Sequence, residues 1–113
     1  MLLEDHENAV IPPSKLRDYL LNLEHKKGGS KAVILTRIGY RREEWQLLEQ
    51  AFRDLISREQ AIDLRHEGEP RFGVEGVIIG TSGEAYVRTV WGCPREGSPP
   101  ILRTAYPRRR PRR

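Results

Sequence analysis

One cysteine, one methionine and two phenylalanines in 113 residues set the first limits on this chain. With Cys93 alone, no internal disulfide framework can close and no cysteine-based zinc site can assemble. No apolar run approaches the roughly 20 residues that cross a bilayer. Met1, Leu2 and Leu3 are followed at once by Glu4, Asp5 and His6, which is unlike a secretory leader. Also missing are the G-x-x-x-x-G-K-[ST] phosphate loop, the G-x-S-x-G elbow, H-E-x-x-H and the dinucleotide fingerprint. These gaps lead us to expect a cytoplasmic protein with no membrane segment, metal ligands or cofactor. A domain released from a larger exported chain would carry the same signature.

Charge is abundant but unevenly placed. The pI is near 9.6, yet five of the 20 Lys and Arg residues fall in the final RRRPRR. The remaining 15 face 16 Asp and Glu, so the body is about neutral. Such a block is either a solvated end or a sequence-independent phosphate binder.

The first half has helical periodicity. Pro12 and Pro13 suit the opening turn of a helix, where a missing N–H goes unused. Leu16, Tyr19, Leu20 and Leu23 follow at i, i+3, i+4 and i+7, one apolar stripe ending at Glu24. Residues 30–39, SKAVILTRIG, hold β-branched Val33, Ile34, Thr36 and Ile38, which favour a strand. Ser30 as a cap and Gly39 as a stop favour a short helix with Ala32, Leu35 and Ile38 inward; the helix is the reading adopted. Residues 41–57 form the third, with Trp45, Leu48, Phe52 and Leu55 at helical spacing and Glu43 and Glu44 at its positive end.

After Gln60 the period drops to two. Ile62, Leu64 and His66 alternate, as do Phe72, Val74 and Ile78; TSGE at 81–84 is a hairpin turn, and strands follow at 85–91 and 101–106. The expected fold is α+β: three N-terminal helices packed on one face of a four-stranded antiparallel sheet. The single domain spans 9–107, between a flexible 1–8 and a disordered Arg-rich tail at 108–113.

Two places can hold chemistry. In HKKGGSK, residues 25–31, Gly28 and Gly29 allow tight turning and close approach to a ligand. A helix starting at Ser30 would aim free N–H groups into that loop. Lys31 adds a charge, and the His25 imidazole can move a proton as base or acid. An exposed loop histidine among lysines is the plainer account. The sheet carries VRTVW at 87–91 and LRTAY at 102–106. Alternation places Thr89 with Trp91, and Thr104 with Tyr106, on one face of each strand, with Arg88 and Arg103 opposite. Cross-strand Thr and aromatic pairing for stability is the competing account.

NAVIP, KLRDYLL, HKKGGSKA, IGY, VRTVW and LRTAYP, within residues 8–107, resemble a bacterial family catalogued as a domain of unknown function. The resemblance implies a protein of a kind often encoded beside a small antitoxin-like protein or found at the C-termini of large polymorphic toxins. More distantly, the layout resembles the barnase–EndoU–colicin–RelE ribonuclease superfold. That resemblance implies RNA cleavage without metal or cofactor, with His25, Lys31, Thr89, Thr104 and Tyr106 catalytic. Arg88, Arg103, Trp91, Gly28 and Gly29 would bind substrate. It also implies tRNA or mRNA as substrate and a cognate antitoxin as partner. A non-enzymatic protein- or nucleic-acid-binding module is the alternative.

Overall fold

The computed structural model describes residues 1–27 and 29–111. Leu48, Phe52, Leu55 and Ile56 recur at helical spacing, and all four are buried in α2, Trp45–Arg58. Each such side chain contributes about 1.5–3 kcal/mol by leaving water. A 3-10 turn, Arg42–Glu44, leads into this helix, so the expected start at residue 41 moves inward. The second expected helix is α1, Gly29–Arg37. Ala32, Leu35 and Ile38 are buried, and burial of that stripe overrides the β-branched preference. Gly39 adopts φ +110, and the Tyr40 N–H bonds the Leu35 carbonyl at 3.1 Å. That five-residue reach is the helix-ending bond that glycine permits.

The first helix departs from expectation. The helix opens at Pro13 and Ser14, close to the expected start, but Lys15–Leu20 is wound as a π-helix with Leu21 N–H bonded to Leu16 O at 2.8 Å. The wider turn buries Leu16, Leu20 and Leu21 together and leaves Leu23, the expected end of the stripe, exposed.

The sheet runs β1 (Ala61–Asp63), β2 (Arg71–Gly80), β3 (Gly83–Gly92) and β4 (Ile101–Pro107), antiparallel and in sequence order. Thr81 and Ser82 turn the central hairpin, with Gly80 opposite Gly83. Val74, Ile78, Val87, Thr89, Trp91, Leu102 and Ala105 are buried on the face that packs against the helical half. A Cβ at Gly76 would lie 2.5 Å from Leu55 Cδ1, so its absence sets the close approach of α2 to β2. Glu75, Arg88 and Tyr106 occupy the other face, in register across the strands.

Between Val90 and Trp91 the pairing slips by one residue: Val90 opposes Thr104 while Trp91 opposes Leu102. Arg103 is the extra residue, a bulge. Strict alternation would send Arg103 away from Thr104. Instead a Cβ at Gly92, on the outer face, would fall 2.7 Å from Arg103 Nε, so Arg103 shares that face with Thr104.

The N-terminal residues and Arg108 are tied to this frame. Leu3 is buried, and Ala61 N–H bonds Met1 O at 2.9 Å, although residues 1–8 read from sequence as a loose end. Val10 bridges Ile101 in parallel and covers the start of the β4 edge. Arg108, the first tail residue, bonds Tyr86 O through its backbone N–H at 2.9 Å. Arg112, Arg113 and Gly28 lie outside the described residues.

Candidate functional site

Three separate elements bring polar groups to the β4 edge. Lys31 lies in the first turn of α1, Tyr19 on the π-helical segment and Thr104 beside the bulge. The Tyr19 hydroxyl and Thr104 Oγ1 are 3.0 Å apart. Lys31 Nζ donates to Thr104 Oγ1 at 3.1 Å and also to the Tyr19 hydroxyl. The ammonium groups of Lys31 and Lys15 lie 4.7 and 5.3 Å from the Tyr19 ring centroid, within cation–π range. Burial pushes the Tyr19 pKa up. The hydrogen bonds of Lys31 and Thr104, with the charges of Lys31 and Lys15, outweigh it and hold the phenol below its ordinary 10.0.

His25 packs edge-on against this tyrosine, with centroids 4.9 Å apart and planes at 77°. Its Nδ1 accepts the Lys27 backbone N–H at 3.0 Å. An accepting Nδ1 leaves the proton of the neutral ring on Nε2, which is therefore a donor. The loop is closed by Gly29 N–H bonding His25 O at 2.8 Å. A Cβ at Gly29 would sit 2.7 Å from Leu23 O, so the glycine is needed for this turn whatever ligand the loop takes.

The other nominated residues divide. Thr89 and Trp91 are fully buried. Thr89 Oγ1 donates to Val74 O at 2.8 Å and accepts from Trp91 Nε1 at 2.8 Å. They are sealed under the helices and do not line the Tyr19 cluster, because alternation turns them inward. Arg88 lies outward: its Nε reaches Glu75 Oε2 at 2.5 Å, and Nη1 reaches the Tyr106 hydroxyl at 3.5 Å. Arg108 Nη1 meets the same Glu75 oxygen at 2.6 Å, and the Tyr86 hydroxyl meets Oε1 at 3.3 Å. Arg103 forms a two-point pair with Glu69 at 3.0 and 2.5 Å. That pairing lowers the Glu69 pKa and raises that of Arg103.

Tyr19 and Lys15 were not nominated from sequence. Tyr19 looked like one more member of an apolar stripe, although a half-buried phenol needs a partner. Lys15, four positions earlier, was the local signal.

An open groove of about 480 Å³, lined by residues that include Asn22, Glu24, Thr36, Tyr40 and Arg42, contains none of the residues expected at the site. Among the described residues, no three His, Cys, Asp or Glu side chains are grouped to hold a metal ion. No helix among them is long and apolar enough to cross a membrane.

Fold and site together define a small α+β domain with a lysine–tyrosine–threonine cluster on the edge of an antiparallel sheet. The chain belongs to the family described as Domain of unknown function (DUF6883), whose model matches residues 2–109. No curated protein and no solved structure matches the chain.

Proposed function

We propose that this protein is a metal-independent endoribonuclease, the toxin of a bacterial toxin–antitoxin pair acting on tRNA or mRNA in the cytoplasm. A small cognate antitoxin would be its protein partner. One observation carries the reading: Lys31, Tyr19 and Thr104 arrive from three different elements and meet within hydrogen-bond distance beside His25. Packing alone does not require two ammonium groups around one phenol.

In the proposed reaction the RNA 2′-oxygen forms a bond to phosphorus while the bond from phosphorus to the 5′-oxygen breaks. Tyr19, in its ionised form, takes the 2′-hydroxyl proton and returns it to the departing 5′-oxygen, leaving a 2′,3′-cyclic phosphate. Lys31 and Lys15 stabilise the charge that grows on the phosphorane, and the lowered Tyr19 pKa makes the base accessible. Thr104 fixes the phenol, and the His25 Nε2–H donates to a phosphate oxygen. The proton-transfer role expected of His25, as base or acid, thus passes to Tyr19.

Purified protein incubated with total tRNA or mRNA in EDTA should yield cyclic-phosphate ends. Tyr19→Phe should abolish cleavage while retaining the fold. RNA left intact across several substrates would sink the proposal. Growth arrest on expression, relieved by the neighbouring small protein, is expected of the toxin role. The second reading, a non-enzymatic binding module, draws on the pairing of Arg88 and Arg103 with Glu75 and Glu69. Nucleic acid or protein bound without cleavage would favour it.

A further inference from the structure

On β4, Thr104, Tyr106 and the following Arg108 succeed one another at period two, spanning about 13 Å on the outer face. Thr104 belongs to the Tyr19 cluster, and Arg108 opens the Arg-rich tail. Across the ladder, Arg88 stands opposite Tyr106 and Tyr86 receives the Arg108 backbone N–H. Two half-buried phenol rings and two guanidinium groups therefore form a continuous strip from the cluster to the tail. Glu75 lies between the guanidinium groups, bonded to both and to the Tyr86 hydroxyl. Glu84 lies two positions before Tyr86 on the same face and Glu59 also acts on Tyr86, so the cationic excess of the strip comes from Arg109 and Arg110 beyond the paired Arg88 and Arg108.

We infer that this strip is a track for single-stranded RNA, leading the strand from the Tyr19 cluster toward the tail. The inference rests on the nuclease reading for its choice of ligand. Tyrosine rings on an open sheet face stack unpaired bases, which a duplex keeps hidden, and arginines follow the phosphates. Glu75 holds Arg88 and Arg108 in place before the strand arrives. The Arg88 stem also lies against Gly73, where a Cβ would be 3.5 Å from its Cδ, so the guanidinium is supported from below.

The test is fluorescence anisotropy with fluorescein-labelled oligouridine bearing 2′-deoxyribose throughout, which lacks the nucleophile and cannot be cleaved. Tyr86→Ala and Tyr106→Ala should each weaken binding about 5-fold or more, whereas Tyr106→Phe, which keeps the ring, should bind as the parent does. Arg108→Gln should flatten the salt dependence by about 0.7 in log–log slope. Thermal unfolding of each variant separates lost affinity from lost fold. Parent-like binding by the folded alanine variants overturns the track. Displacement of the oligonucleotide by polyglutamate as readily as by RNA also overturns it, in favour of an acidic protein partner. Tyr19→Phe separates the two proposals. It should lose cleavage of RNA and keep affinity for the deoxy oligonucleotide. If it still cleaves, the proposed role of Tyr19 fails while the track stands on its own binding data.

Discussion

Replacing Thr89 with valine tests most directly what the interior of the sheet does. The substitution keeps volume and β-branching but removes the hydroxyl, so it is not conservative in a dry site. Thr89 is fully buried and holds two bonds of 2.8 Å, one to Val74 O and one from Trp91 Nε1. Losing the first costs about 1 kcal/mol, and leaving the indole N–H without an acceptor costs about 1–3 kcal/mol. We expect a total near 2–4 kcal/mol. At about 2.1 cal/mol/K of unfolding entropy per residue, a chain of this size should lose about 8–17 °C in Tm. Urea unfolding followed by tryptophan fluorescence measures the first quantity, and a thermal melt followed by circular dichroism measures the second. Thr89→Ser, which keeps the oxygen, should recover most of the loss. Any RNA cleavage per folded molecule should be unchanged, since Thr89 is sealed from solvent. A valine variant as stable as the parent, or one fully stable yet inactive, would refute this account of Thr89.

Gly76→Val should cost about 1–3 kcal/mol by overpacking, because its Cβ would lie 2.5 Å from Leu55 Cδ1 and 3.1 Å from Glu59 Cγ; a chemical melt with an unchanged midpoint would contradict the close approach of α2 to β2. Ultraviolet difference titration should find one tyrosine ionising below 10.0, and Lys31→Met should move that step upward; no change would mean that Lys31 does not govern the phenol. Because Arg103 depresses the Glu69 pKa in the folded state, that pair contributes fully above the ordinary carboxylate value of 4.5 and loses its contribution as pH falls through the depressed one. The stability gap between the parent and Arg103→Gln should therefore narrow in acid, and a gap that widens there would show the sign to be wrong.

Much of the frame was legible because it depends on local period. The stripe Leu48, Phe52, Leu55 fixed α2, and Gly39 fixed the end of α1, since only a residue tolerant of positive φ closes that helix without strain. Alternation located β2, β3 and β4 and their hairpin. Errors arose where period itself changes. The π-helical turn takes Leu23 off the buried stripe, and the bulge at Arg103 reverses its face. Both insert a residue into a repeat, which a count along the chain cannot detect before the backbone is seen.

The candidate site shows the same division more sharply. Lys31, Thr104 and His25 could be picked out singly, as an ammonium at a helix start, a hydroxyl on a strand and an imidazole in a glycine turn. Their meeting, and the presence of Tyr19 at its centre, follow from α1 and the π-helical segment both docking at the β4 edge. Thr89 carries the same Arg-Thr-x-aromatic signature as Thr104, yet its hydroxyl is spent on Trp91 and Val74 within the core. By itself the sequence determined which residues alternate and which wind, because backbone sterics and side-chain burial act over a few neighbours. Which of two look-alike threonines faces a lysine was decided by tertiary structure alone, because inter-element contacts depend on register and docking across tens of residues.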